Sequence, residues 1–353
     1  MKSLALKRNR SIMPFIKINK NNYQHNLNAL RKKAGGEDKL MVVLKDNAYG
    51  HDLKTMAQLA SSFGIKKSAV KNLEEAKKIS HLFEETLILA DHPPLNKQED
   101  CISYAVHSIE GLKKFPPKSS LHVNLDSGMH RNGIMYEQIE EALKIIVDNK
   151  HHFKGFFTHF RSADELSCEQ FWQEENYKKA VEKVKELIKK YGLKRPSFHS
   201  CNSAALLRRS SAIIDDFARC GIATYGYSHL DSAFKKLELK PVLSLWAKKL
   251  SSRCLQKGDR VGYGGLYELD TAQTISTYDI GYGDGLFRYD GLGNLHFKDG
   301  EVLGRISMDS FSFKGDAPTV CLFDDATSLA KYFNTITYEI ITRLAPDIKR
   351  EVV

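Results

Sequence analysis

The chain has 353 residues, with 53 lysines and arginines against 43 acidic residues, for a formal net charge of +10. That length allows two domains and a core that stands without staples, and the 42% apolar and 27% charged fractions are ordinary for a globular protein. No apolar run is long enough to span a membrane as a helix, and Ser3–Leu6 is too short for the core of a signal peptide. The basic residues are scattered, with their largest cluster at Lys7, Arg8 and Arg10 and no basic–aromatic stripe, which argues against nucleic acid as the partner. The six cysteines (Cys101, Cys168, Cys201, Cys220, Cys254 and Cys321) form no CxxC pair and no metal-ligand spacing. They read as free thiols of a reducing compartment, so the expected location is cytoplasmic, with no metal and no membrane.

Residues 1–11 read as a basic, poorly ordered start. Phe15–Ile18 alternates like a strand, and Asn21–Leu27 opens a helix with asparagine as its cap. From Leu40 a pattern repeats: short apolar run, polar turn, amphipathic stretch. The runs are Leu40–Leu44, Ser68–Val70, Thr86–Ala90, Ile102–Val106, Leu121–Leu125, Gly155–Thr158, Ser197–His199 and Ile222–Tyr225. Helical patterns lie between most of them, as at Asn72–His81, Glu137–Asp148 and Asn176–Tyr191. Eight strands alternating with helices predict a (β/α)8 TIM-like barrel over residues 12–238; an open doubly wound sheet is the alternative. The chemically interesting residues follow the ends of different runs, and in a barrel those ends share one face.

The pattern changes near Leu239-Lys240-Pro241. Helical periodicity nearly vanishes, and short β-like stretches (Val242–Ala247, Gln273–Ile280, Thr319–Phe323) alternate with glycine-rich turns. Residues 239–353 are therefore expected to form a mostly-β C-terminal domain, with one helix at Ser328–Asn334.

Leu40–Leu44 reads as a strand buried on both faces, and it ends in a lysine, Lys45. A cation at the end of a buried strand is costly unless something uses it. A desolvated lysine has a lowered pKa, which makes its amine available as a nucleophile toward a carbonyl cofactor. A strand-end lysine also reads as one that snorkels to water, and the strings around it decide between the two readings. His199-Ser200-Cys201-Asn202-Ser203 ends a run and opens a helix with backbone N–H groups and a hydroxyl. Arg219-Cys220-Gly221-Ile222 adds a glycine that lets backbone approach a ligand closely.

Together these strings resemble the alanine racemase family. Val43-Leu44-Lys45-Asp46-Asn47-Ala48-Tyr49-Gly50-His51 resembles its pyridoxal-phosphate attachment motif, and motifs in the family's order run from Phe15 to the C-terminus. The resemblance implies Lys45 as the cofactor lysine. It assigns the phosphate to Tyr49, Asn202, Ser203, Gly221 and Ile222, with Tyr338 of Thr337-Tyr338-Glu339 nearby. Arg219 would face the pyridine nitrogen. Arginine only donates and stays charged, so the nitrogen would stay unprotonated and the cofactor would be a weaker electron sink. That suits a racemase, which must avoid transamination. His159 of Thr158-His159-Phe160 would lie against the ring, and Arg131 would contact its phenolic oxygen and the substrate.

Racemisation needs a second acid–base group opposite Lys45. The resemblance places Tyr263, in Val261-Gly262-Tyr263-Gly264, in that role. It puts Tyr282 of Gly281-Tyr282-Gly283-Asp284 on the substrate approach and Met308 of Ser307-Met308-Asp309 at the substrate carboxylate. It further implies a head-to-tail homodimer in which this tyrosine comes from the second subunit, and a two-base interconversion of L- and D-alanine through a Schiff base of pyridoxal 5'-phosphate, supplying peptidoglycan. Three positions depart from the family pattern. Asn124 stands where many members carry a carbamylated lysine, so an anion such as chloride or a nearby carboxylate is expected beside Arg131. Cys220 replaces a proline and Asp46 a small residue. The rival readings are a racemase of another or broader set of amino acids, such as serine, and a non-catalytic pyridoxal-phosphate carrier.

Overall fold

The structure is a computed structural model that describes residues 13–92 and 99–353. The basic start at residues 1–11 lies outside the described residues. The described chain divides into two units. One holds Asn21–Ala48 and Leu53–Lys240; the other holds residues 13–20, Tyr49–Asp52 and Pro241–Val353.

The strands, numbered along the chain, begin with β1 (Phe15–Ile18). Eight more follow in the first unit: β2 (Leu40–Val43), β3 (Lys67–Val70), β4 (Glu85–Ile88), β5 (Ile102–Val106), β6 (Ser120–Asn124), β7 (His152–Phe157), β8 (Ser197–His199) and β9 (Ala218–Cys220). They form one parallel sheet in the order β8-β7-β6-β5-β4-β3-β2-β9. Between β8 and β9 the ring is bridged by Arg219 N–H donating to Cys201 O (2.9 Å) and Asp216 N–H to Phe198 O (2.9 Å). The expected (β/α)8 barrel is therefore present.

The local reasons are those the sequence offers. Every residue of β2 and β5 is buried, as apolar runs in a parallel sheet must be. The helix Leu73–Ile79 starts where the Asn72 side chain accepts the N–H of Glu75. Ile139–Asp148 and Glu169–Lys190 supply two longer outer helices. Two expectations need correction. Ile222–Tyr225 is a buried 3-10 helix, and the eighth strand is Ala218–Cys220 just before it. Both stretches are fully buried, so periodicity could not tell strand from helix, and Gly221 (φ −105°, ψ −91°) ends the extended backbone between them. The first helix runs Lys20–Ala34, so Asn21 and Asn22 lie inside it and do not cap it.

In the second unit β1 pairs antiparallel with β10 (Leu243–Leu255) and parallel with β18 (Lys349–Val352). It belongs to this sheet and not to the barrel. β13 (Gln273–Tyr278), β16 (Phe311–Lys314), β15 (Gly300–Leu303) and β14 (His296–Phe297) extend the sheet, while β17 (Thr319–Phe323) pairs with β10. β11 (Arg260–Val261) and β12 (Tyr267–Glu268) form a separate two-stranded ribbon. Beneath it Val261, Leu269, Ile275 and Leu303 close a small core. The expected helix appears as Thr327–Tyr332, and a second, Thr337–Thr342, follows it.

Candidate active site

Lys45 follows Leu44, whose N–H donates to Ala69 O (2.7 Å) and so extends the β2–β3 pairing to the edge of the lysine. The next four residues are left-handed: Asp46 (φ 54°), Asn47 (φ 54°), Ala48 (φ 52°) and Tyr49 (φ 53°). Each such non-glycine residue costs about 1–2 kcal/mol relative to the right-handed form. Specific bonds offset it. Asn47 N–H donates to Glu75 Oε1 (3.0 Å), Asn47 Oδ1 accepts from Leu53 N–H (2.9 Å), and Lys71 Nζ pairs with Asp46 Oδ1 (2.9 Å). The strand end is thereby turned sharply, and Lys45 stays partly accessible.

Arg219, in β9, is 6% exposed. A buried guanidinium needs acceptors, and this one finds neutral ones. Nη1 donates to His199 Nδ1 (2.6 Å) and His199 O (2.8 Å); Nη2 donates to Thr158 O (2.6 Å). Its plane lies over Phe157, 4.9 Å from Cζ to the ring centre. The Nε–H takes no part in these bonds. His159, two residues past β7, is depressed to about 3, first by burial and then by Arg219, Arg131 and Lys45. Three predicted site residues thus oppose protonation of a fourth.

Ser203 joins two backbone segments. Its hydroxyl accepts the N–H groups of Gly221 (3.2 Å) and Ala223 (3.4 Å), so the start of the helix Ser203–Arg208 meets the start of Ile222–Tyr225. Asn202 caps the first, its Oδ1 accepting from Ala205 N–H (2.9 Å), while its amide donates to Phe160 O (3.3 Å) beside His159. The barrel unit therefore brings together Lys45, Arg131, His159, Asn202, Ser203, Arg219, Gly221 and Ile222.

Arg131 is exposed and forms no ion pair among the described residues. The carboxylate on its own loop, Asp126, is occupied by the N–H groups of Gly128 (2.9 Å) and His130 (3.0 Å). Asn124 spends its amide hydrogens on His107 Nδ1 (3.2 Å) and Asn132 O (3.1 Å), and its buried Oδ1 has no partner. Among the described residues, then, no carboxylate pairs with Arg131.

In the second unit the rings of Tyr49 and Tyr338 meet at 5.9 Å. Gly50 permits the tight approach there: its φ is +81°, and a Cβ would stand 2.0 Å from Ile341 O. The loops bearing Tyr282 and Met308 are tied by Tyr282 N–H to Ser307 O (3.1 Å) and Gly283 N–H to Met308 O (2.8 Å). Tyr263 sits on a short turn between Gly262 (φ 74°) and Gly264 (φ 77°), beside Arg305. Tyr263 and Met308 are 68% and 56% exposed, so nothing in their own unit covers them.

The family model described as alanine racemase, N-terminal domain, matches residues 18–229, and that of the C-terminal domain matches 242–352. The chain belongs to the alanine racemase family. An alanine racemase of Nitratiruptor sp. is 46% identical over 96% of this chain and 99% of its own. Among solved structures, alanine racemase of Clostridium difficile superposes with a TM-score of 0.86 at 28% identity, covering 97% of this chain and 96% of its own. That of Bacillus anthracis with bound L-Ala-P does so at 0.82 and 29%, covering 96% and 95%. Family members use pyridoxal phosphate.

Sequence reasoning placed His199 in the phosphate-cradle string but missed its row of partners, His122 and Glu85. His199 reaches His122 (Nε2 to Nδ1, 2.9 Å), and His122 reaches Glu85 (Nε2 to Oε1, 2.8 Å). The available signal was polar residues inside buried runs: His122 in Leu121–Leu125, and Glu85 at the head of Thr86–Ala90.

Proposed function

We propose that the chain interconverts L- and D-alanine with pyridoxal phosphate carried on Lys45, supplying D-alanine for peptidoglycan in the cytoplasm. The observation that carries this is the buried Arg219, which spends both Nη groups on neutral acceptors, together with Lys45 and Arg131, which also act on His159 and pair with no carboxylate among the described residues. Such a cluster suits a ligand bearing a phosphate and a phenolate. The buried Ser203 hydroxyl, whose oxygen accepts from the N–H groups of Gly221 and Ala223, keeps its own proton to donate to the phosphate. The free Nε–H of Arg219 suits a pyridine nitrogen that accepts.

Lys45 would anchor the cofactor, Arg219 would hold its ring nitrogen unprotonated, and His159 would lie on the ring. Tyr49, Asn202, Ser203, Gly221, Ile222 and Tyr338 would hold the phosphate end. When bound, the cofactor supplies electron withdrawal from the amino-acid Cα. Lys45 Nζ and Tyr263 Oη carry the protons: from L-alanine the tyrosine takes the Cα proton and the lysine returns one from the other side. From D-alanine the roles reverse. Arg131 and Met308 would receive the substrate carboxylate and Tyr282 would line its approach. An anion such as chloride would partner Arg131.

We further propose a homodimer in which each site is completed by the Tyr263 of a second copy. The exposure of Tyr263, Tyr282 and Met308 supports this reading. The division of labour follows residues 12–238 and 239–353, the second supplying the tyrosine.

One test combines two readings of protein purified with the cofactor. Borohydride should fix the cofactor irreversibly on the peptide containing Lys45, and L-alanine should yield D-alanine. Fixation without D-alanine would redirect the reading to another amino acid or to a carrier. No fixation would end it.

A further inference from the structure

A line of hydrogen bonds runs through the barrel interior, away from the site. Arg219 Nη1 meets His199 Nδ1 (2.6 Å), His199 Nε2 meets His122 Nδ1 (2.9 Å), and His122 Nε2 meets Glu85 Oε1 (2.8 Å). His199 and His122 are fully buried. Glu85 opens β4, and it lines, with the first residues of β3, β5, β7 and β8, a cavity of about 620 Å3 at the N-terminal ends of the strands. Its carboxylate also accepts from Lys67 Nζ (3.0 Å) and Ser103 Oγ (3.0 Å).

The two ends dictate the protons between them. Arg219 can only donate, so His199 Nδ1 must accept and its single proton lies on Nε2. That proton points at His122 Nδ1, which must accept in turn, so the proton of His122 lies on Nε2. It points at a carboxylate, which can only accept. Both histidines are therefore neutral, in one tautomer each. Burial and Arg219 hold His199 well below the usual imidazole range, in keeping with this order. Burial alone would raise the Glu85 carboxyl, but the hydrogen bond from neutral His122 and the charge and hydrogen bond of Lys67 oppose it.

The rings cannot escape by turning. His199 is stacked between Phe157 (5.0 Å) and Phe217 (4.5 Å). His122 lies against Gly155, where any Cβ would stand 2.0 Å from Nδ1. If the far end offered a donor, the whole row would have to reverse, and a ring N–H of His199 would face the guanidinium.

We propose that Glu85, at the floor of the barrel, is a positioning residue for Arg219, fixing the tautomers of His122 and His199 so that the guanidinium always meets an acceptor. This rests on the reading of Arg219 as the partner of the cofactor's ring nitrogen. A disordered Arg219 would let that nitrogen gain a proton, and the bound amino acid would more often be reprotonated at the wrong carbon.

The test uses the cofactor-loaded enzyme with 15N-labelled histidine. Wild type should show His122 and His199 as Nε2–H imidazoles, assigned by loss of each signal in H122N and H199N. In E85Q, whose amide can donate as well as accept, the reversed tautomer should appear. Its kcat should fall roughly 10- to 100-fold with KM little changed, the cost of a misplaced catalytic group, and conversion of cofactor to its amine form per turnover should rise. K67M, which leaves the carboxylate in place, should keep the wild-type tautomers and partition. Folded, loaded E85Q with wild-type tautomers and wild-type partition overturns the proposal, and so does K67M matching the loss in E85Q. Failure of the cofactor reading would be seen separately, as wild-type protein in which borohydride fixes nothing on Lys45.

Discussion

Gly155 makes room for His122. A Cβ at residue 155 would stand 2.0 Å from His122 Nδ1 and 2.5 Å from Cε1, and Gly155 has no unusual backbone conformation that would otherwise call for glycine. Gly155→Ala should therefore displace the imidazole that His199 bonds. The expected cost is about 1–3 kcal/mol of stability, as for other overpacked cores, with a drop in kcat larger than the change in KM. Chemical unfolding alongside steady-state kinetics checks it; a G155A variant with wild-type kcat would show that the imidazole row tolerates displacement.

Tyr263→Phe removes one of two proton carriers and leaves Lys45. Racemisation should fall about 10²–10⁴-fold, the usual contribution of a positioned acid–base group. Exchange of the Cα hydrogen of D-alanine with deuterated water should persist, because Lys45 serves that face. Mass spectrometry of recovered D-alanine reads this directly, and equal loss of exchange from both enantiomers would contradict the assignment of faces.

The left-handed turn after Lys45 predicts a graded series. Asn47→Ala loses both the acceptor for Leu53 N–H and the residue type that best tolerates φ 54°. It should cost about 1–3 kcal/mol, the range for an unsatisfied buried donor. Asn47→Gly restores the backbone tolerance without the bond and should fall between N47A and wild type. Thermal unfolding gives the order, and pyridoxal-phosphate titration should follow it.

Acid should destabilise the apoprotein through neutral histidines. His159 is held at about 3 and His151 at about 4, chiefly by burial. Unfolded histidines titrate near 6.5, so below that pH the unfolded chain binds protons that the native state refuses. Stability should be fully present above about pH 6.5 and fall as pH drops toward 4, by up to about 1.4 kcal/mol per pH unit for each such histidine. Urea titrations at stepped pH measure the slope. A flat profile from pH 7 to 5 would mean these imidazoles titrate normally.

Arg131 should make activity depend on a small anion. Replacing chloride by a bulky anion such as gluconate should lower kcat/KM, and chloride should restore it. Indifference to the exchange would remove the anion from the account.

The barrel was legible because its strands are continuous apolar runs, and Lys45 stood out because a cation ends one of them inside a motif string that resembles the family's. The boundary at Gly221 was not, since Ala218–Cys220 and Ile222–Tyr225 are equally buried and only backbone angles separate strand from 3-10 turn. Nor was the left-handed turn, which depends on Glu75 and Leu53 reaching back to Asn47. The row formed by Glu85, His122 and His199 was hidden for a related reason. Each is an ordinary strand residue by pattern, and their alignment comes from alternate strands, β4, β6 and β8, that are not neighbours in the sheet. β1 alternates as a strand should, but nothing local says which sheet receives it.

That placement of β1 has a consequence for how the protein is made. Phe15–Ile18 leaves the ribosome before any barrel strand, yet its neighbours are Leu243–Leu255 and Lys349–Val352. Its backbone hydrogen-bonding groups must wait through synthesis of the entire barrel, and its second neighbour arrives with the last residues of the sheet. A nascent chain of this protein thus carries an unpaired strand while the whole barrel is made, which is the kind of segment that chaperones cover and that recruits wrong partners when they do not.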